Sequence, residues 1–124
     1  MKAFFSVFLV LNFLAETLAA VSLIGAENGL AAALSGNGNS NGLWSMHYGF
    51  AVISIASAIF WVWPHRTSRK VVTAVLGMLM LFHCALLISL VLENSQIEGI
   101  VLHSVLALMA IVLFALRSRW CDEP

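Results

Sequence analysis

The chain has 124 residues, 61% of them hydrophobic and only 10% charged, with six Lys and Arg against six Asp and Glu. A soluble domain carries about a quarter charged residues, so this composition excludes an ordinary water-soluble domain and points to an integral membrane protein. No basic outer patch exists for nucleic acid, so no nucleic-acid partner is expected.

Four apolar stretches, residues 3–26, 43–63, 71–92 and 97–116, are each long enough to cross a hydrocarbon layer of about 30 Å, which takes ~20 residues of helix. They use nearly the whole chain. The predicted fold class is an all-α integral membrane protein, a four-transmembrane-helix bundle forming one domain over 1–124 with the lipid bilayer as its partner. With four crossings, Lys2, Arg66, Arg69, Lys70, Arg117 and Arg119 all fall on one side, and Glu27, Glu93 and Glu98 fall on the other. By the positive-inside rule both termini are cytoplasmic, and a bacterial inner membrane is the expected location.

The first stretch opens with a basic start and an apolar core, Lys2 then Phe4 to Leu11, which is also the pattern of a secretory signal with small-residue sites near Ala19 or Ser22. The apolar run continues to Ala26, Glu16 interrupts it, and an even number of crossings suits the charges, so retention is expected. Asn12 and Glu16 stand four apart and share a face with Ala20. An acidic residue at the centre of a spanning helix costs ~2.5 to 3.5 kcal/mol, so Glu16 is expected to face the interior, protonate or find a partner, either as a neutral or hydrogen-bonded clasp between helices or as a ligand or proton carrier.

Residues 27–42 read as a polar outer loop. Leu30 to Leu34 suit a short turn in the interface, and Ser35 to Gly42 are glycine, asparagine and serine, residues of flexible turns. No lysine follows the glycines, so no phosphate cradle is expected.

In the second stretch Trp44 and Tyr48 mark one interface, and Trp61 and Trp63 mark the other. His47 lies near the outer rim, and Ala51, Ser54 and Ala58 continue its face as a small-residue track on which another helix can approach. Pro64 to Lys70 form a cytoplasmic turn.

The third stretch presents Thr73, Gly77, Met80 and Cys84 along one side, with His83 on the neighbouring stripe; Gly77 is expected to permit close packing. In the fourth, Gly99, His103, Ala107, Ala110 and Phe114 share a face, which turns His103 into the bundle. Trp120 is predicted to anchor at the inner interface. Cys84 and Cys121 lie at different depths, which excludes a disulfide between them.

Glu93-Asn94-Ser95-Gln96 is the polar turn between the last two stretches, and His83 and His103 flank it. At ~1.5 Å per residue both fall within roughly 15 Å of one membrane face. Counting inward from the outer helix ends, Glu16 and His83 lie roughly 14 Å deep, His103 about 9 Å and His47 about 6 Å. The expected result is an outward-facing intramembrane His/Glu site.

Glutamate and histidine suit borderline divalent metals, and histidine is the usual axial ligand of b-type haem. A metal would take Glu16, His83 and His103, with Asn12 and His47 supporting; a haem would take His83 and His103. Neither HExxH nor Cys-x-x-Cys occurs, and no nucleophile has an adjacent base, so no reaction is assigned. A reading from a different class also stands: an accessory or assembly subunit of a larger membrane complex, or a homo-oligomer, whose polar residues only clasp helices. In helix count the chain is similar to small four-helix bacterial membrane proteins, including DoxX-like proteins and four-helix b-type cytochromes. That similarity implies a bundle and no activity.

Overall fold

Backbone amides and carbonyls inside hydrocarbon have no water to bond, so apolar runs of this length must satisfy them internally as helix. The computed structural model describes residues 1–25, 34, 40–93 and 97–122, excluding the side chains of 40–42. Apart from Leu34, which is helical and exposed, the predicted loop 27–42 is described only from Ser40 onward; its earlier part and the turn at 94–96 lie outside the described residues.

The described elements are α1 (Lys2–Gly25), α2 (Ser40–Ala56), α3 (Ala58–Val62), α4 (Arg69–Glu93) and α5 (Ile97–Leu116), with 3-10 turns at Trp63–His65 and Arg117–Arg119. Four helical spans, Lys2–Gly25, Leu43–His65, Arg69–Glu93 and Ile97–Arg119, are long and apolar enough to cross a membrane. The predicted limits hold to within three residues, the largest difference being the start of α2 at Ser40. The second span is interrupted at Ser57. Its hydroxyl donates to the Ser54 carbonyl at 2.7 Å, and the Ser54 hydroxyl donates to the Phe50 carbonyl at 2.9 Å. Such local hydroxyl bonds compete with the helical ladder, which accounts for the break between α2 and α3.

The chain falls into two compact units, Met1–Leu9 with Phe60–Pro124, and Val10–Ile59. In the first, Val72, Leu76, Leu79 and His83 of α4 are buried, as are Leu106, Ala107, Ala110 and Leu113 of α5. These are stripes at three- and four-residue spacing, as expected where two helices share a seam. A Cβ added to Gly77 would lie 3.8 Å from Phe114, an ordinary contact. The expected close approach at Gly77 is therefore absent, because the Phe114 ring already holds the two helices a side chain apart.

One end of this unit gathers three segments. The Asp122 amide donates to the Thr67 carbonyl at 2.8 Å, Ser68 and Asp122 form an isolated parallel bridge, and Lys2 Nζ lies 3.4 Å from Asp122 Oδ1. Arg117 Nε donates to Thr73 Oγ1 at 3.0 Å, and its guanidinium covers the Phe114 ring 3.9 Å from the centroid. Trp120 corrects its predicted role as an interface anchor. It is buried, with its ring 5.2 Å from that of Phe5. The 3-10 turn at Arg117–Arg119 redirects the chain, and the bond to Thr67 then holds the tail across the end of the helices, which folds the indole inward.

In the second unit, α1 and α2 approach closely at Gly49. A Cβ there would fall 2.6 Å from Ile24 Cγ1 and 3.1 Å from the Ala20 carbonyl oxygen. Gly49, Val52 and Ala56 form the buried stripe of α2, whereas Ala51 and Ser54 are exposed. Of the expected small-residue track only Ala58 is buried; within α2 glycine admits a closer backbone than alanine or serine, so the contact forms on the Gly49 side.

Candidate functional site

Polar side chains are scarce in these helices, and their positions follow from the buried stripes. On α1 the stripe runs Phe5, Phe8, Asn12, Glu16 and Ala20, so the two polar residues fall on the side that is withdrawn from solvent. Both Asn12 and Glu16 are 1% exposed. The next residue, Thr17, buries its hydroxyl oxygen with no hydrogen-bond partner among the described residues. Sequence reading passed over Thr17, whose only signal is adjacency to Glu16.

His47 on α2 is exposed, with its ring edge-on to Trp44 at 6.2 Å between centroids. It lies at the aromatic end of the span, where a histidine can stay hydrated.

The first unit brings two predicted residues together. His83 of α4 is fully buried and His103 of α5 is half-buried, and their Nδ1 atoms are 3.0 Å apart. The ring centroids are 5.3 Å apart with 34° between the planes, and Phe82 sets its ring edgewise to His83 at 5.2 Å. Counting from helix ends separates the two histidines in depth, but α4 and α5 are staggered, so His83 and His103 meet at one level.

A direct Nδ1 to Nδ1 hydrogen bond between neutral imidazoles requires one ring to donate and the other to accept. The two rings are therefore inequivalent: one carries its proton on Nδ1 and the other on Nε2. The same spacing also suits shared ligation. Nitrogens 3.0 Å apart can each lie about 2.0 to 2.1 Å from one ion with an angle of about 90 to 97° at it.

By donor chemistry the residues able to hold an ion are His83 and His103 in the first unit and Glu16 in the second. Cys84 and Cys121 are free thiols, in keeping with their expected separation in depth. Compared with protein-family models, characterised proteins and solved structures, the chain matches none.

Proposed function

We propose that this chain is a four-helix membrane protein of the bacterial inner membrane that binds a divalent metal ion in the outer half of its bundle. Glu16, His83 and His103 are its ligands, and Asn12 and His47 lie around the site. The observation that carries this reading is the 3.0 Å separation of the His83 and His103 Nδ1 atoms. Glu16 enters on two grounds: its carboxylate is the hard donor that complements two imidazoles, and it is buried.

The ring geometry favours an ion over haem. A haem held by both histidines needs the porphyrin between the rings, with the ligating nitrogens on opposite faces of the iron. Rings in direct hydrogen bond leave no room for that plane.

Purified protein in mild detergent should carry one zinc, nickel or cobalt ion per chain, and Co(II) loading should give a ligand-field spectrum lost in His83→Ala and Glu16→Gln. Absence of both stoichiometric metal and any thermal stabilisation by added ion defeats the reading; it would favour the accessory-subunit alternative. The topology is tested separately. Alkaline phosphatase fused after residue 124 should be inactive and a fusion within 94–96 active, as cytoplasmic termini require.

A further inference from the structure

The six bases of this chain do two different jobs. Three are engaged within the first unit: Lys2 with the Asp122 carboxylate, Arg66 with the Trp63 carbonyl at 2.8 Å and its ring at 4.9 Å, and Arg117 with Thr73 and the Phe114 carbonyl. No hydrogen bond or ion pair engages Arg69, Lys70 or Arg119 among the described residues. Lys70 and Arg119 are exposed and Arg69 is half-buried.

These three belong to segments that the unit draws together. Arg69 and Lys70 open α4 immediately after Ser68, which is bridged to Asp122, and Arg119 closes the 3-10 turn that leads to it. The Cys121 thiol feels the charges of Arg69, Lys2 and Arg117, so the start of α4, the N-terminal segment and the tail share one electrostatic neighbourhood. The only acids near this end in sequence are Asp122 and Glu123, and Asp122 is committed to Lys2 and Thr67. The first turn of α4 contains no acid, and its helix dipole adds to the positive potential.

We infer that Arg69, Lys70 and Arg119 form a docking surface for the phosphodiester headgroups of anionic phospholipid. Four features identify the partner: uncommitted positive charge, position at the ends of spans long enough to cross a membrane, flanking Trp61 and Trp63 that settle at headgroup level, and the single sign of the patch. The unprotonated oxygens of a phosphodiester accept paired hydrogen bonds that the Arg69 and Arg119 guanidinium groups can donate, and a zwitterionic surface offsets its phosphate charge with its own cation. The inference is independent of the metal reading and of which ion that site holds.

The test is native mass spectrometry of the full chain released from mixed micelles with equal phosphatidylglycerol and phosphatidylcholine. Phosphatidylglycerol should be retained preferentially, and the preference should fall roughly fivefold for each of Arg69→Gln, Lys70→Gln and Arg119→Gln, in line with the usual contribution of one base at an anionic surface. Arg69→Lys with Arg119→Lys should keep most of it, and Lys2→Gln should keep it while lowering thermal stability. Equal retention of the two lipids, retention unchanged in the triple Gln variant, or full displacement by millimolar inorganic phosphate would each overturn the assignment. Far-ultraviolet circular dichroism of each variant separates loss of binding from loss of fold; should the triple variant unfold, the three single variants decide.

Discussion

Gly49 of α2 lies against Ile24 of α1 so closely that a Cβ on the glycine would come within 2.6 Å of Ile24 Cγ1. The isoleucine side chain can shift, but the Ala20 carbonyl at 3.1 Å and Leu23 Cβ at 3.2 Å are fixed to the helix. Gly49→Ala should therefore be destabilising: overpacking costs about 1 to 3 kcal/mol, which exceeds the helix-propensity gain of about 1 kcal/mol. Gly77→Ala meets Phe114 at ordinary contact distance and should be neutral or stabilising. Thermal midpoints in detergent compare the two directly, and equal behaviour would remove the close contact as the cause.

The hydrogen bond between His83 and His103 predicts two distinct tautomers in the metal-free protein. Nitrogen-15 NMR of labelled histidine should show one Nδ1-protonated and one Nε2-protonated ring, and ion binding through both Nδ1 atoms should convert both to the Nε2 form. Two identical ring patterns without metal would contradict the pairing.

Replacing one histidine removes the other's Nδ1 partner. His83→Leu should cost about 1 to 3 kcal/mol, and the double change to leucine should cost less than the two single changes added. Strict additivity in reversible unfolding would show that the rings do not depend on each other.

The tail contact should loosen in acid. The Thr67 side chain bonds the Asp122 carboxylate and the Lys2 charge lies beside it, so its pKa falls below the ordinary 3.8. A carboxyl depressed in the folded state contributes its stabilisation fully above its unfolded value and loses it as pH falls through the folded one. Hydrogen-exchange protection of the Asp122 amide, corrected for its intrinsic rate, should be flat from pH 7 to about 5 and fall below about 3.8. Asp122→Asn should remove that acid transition.

Cys121 should be a sluggish thiol. Burial raises its pKa above the ordinary 9.0 and Asp122 pushes it the same way, against the lowering effect of Arg69, Lys2 and Arg117. Thiolate is the reactive form, so maleimide labelling should rise only above pH 9, and Asp122→Asn should shift that rise to lower pH. Labelling with a midpoint near neutrality would mean that the cations prevail.

Much of the helical plan was legible because each span is a long run bounded by strong polar signals, such as Pro64 to Lys70. The pairing of His83 with His103 was legible from their placement about a short turn. Three other features depended on distances that no single-chain pattern encodes. Glycine is equally compatible with contact and with open space, so the close approach expected at Gly77 is found at Gly49, which the sequence reading did not single out. Trp120 carries the composition of an interface anchor, and its burial follows from a backbone bond between Asp122 and Thr67, groups present in every residue. Ser57 breaks its helix through a local hydroxyl bond that competes only weakly with the ladder, so sequence gives little warning of it.

The tail contact also sets a schedule for biosynthesis. Lys2 and Asp122 are 120 residues apart, so the first basic residue leaves the ribosome long before its acidic partner has been made. At ~5 to 20 residues per second that interval is roughly 6 to 24 s, ample time for the earlier helices to form. Closure of Phe5 on Trp120 therefore waits until the later segment has been made. Until then, the start of α1 lacks its indole partner, and this end of the unit cannot close.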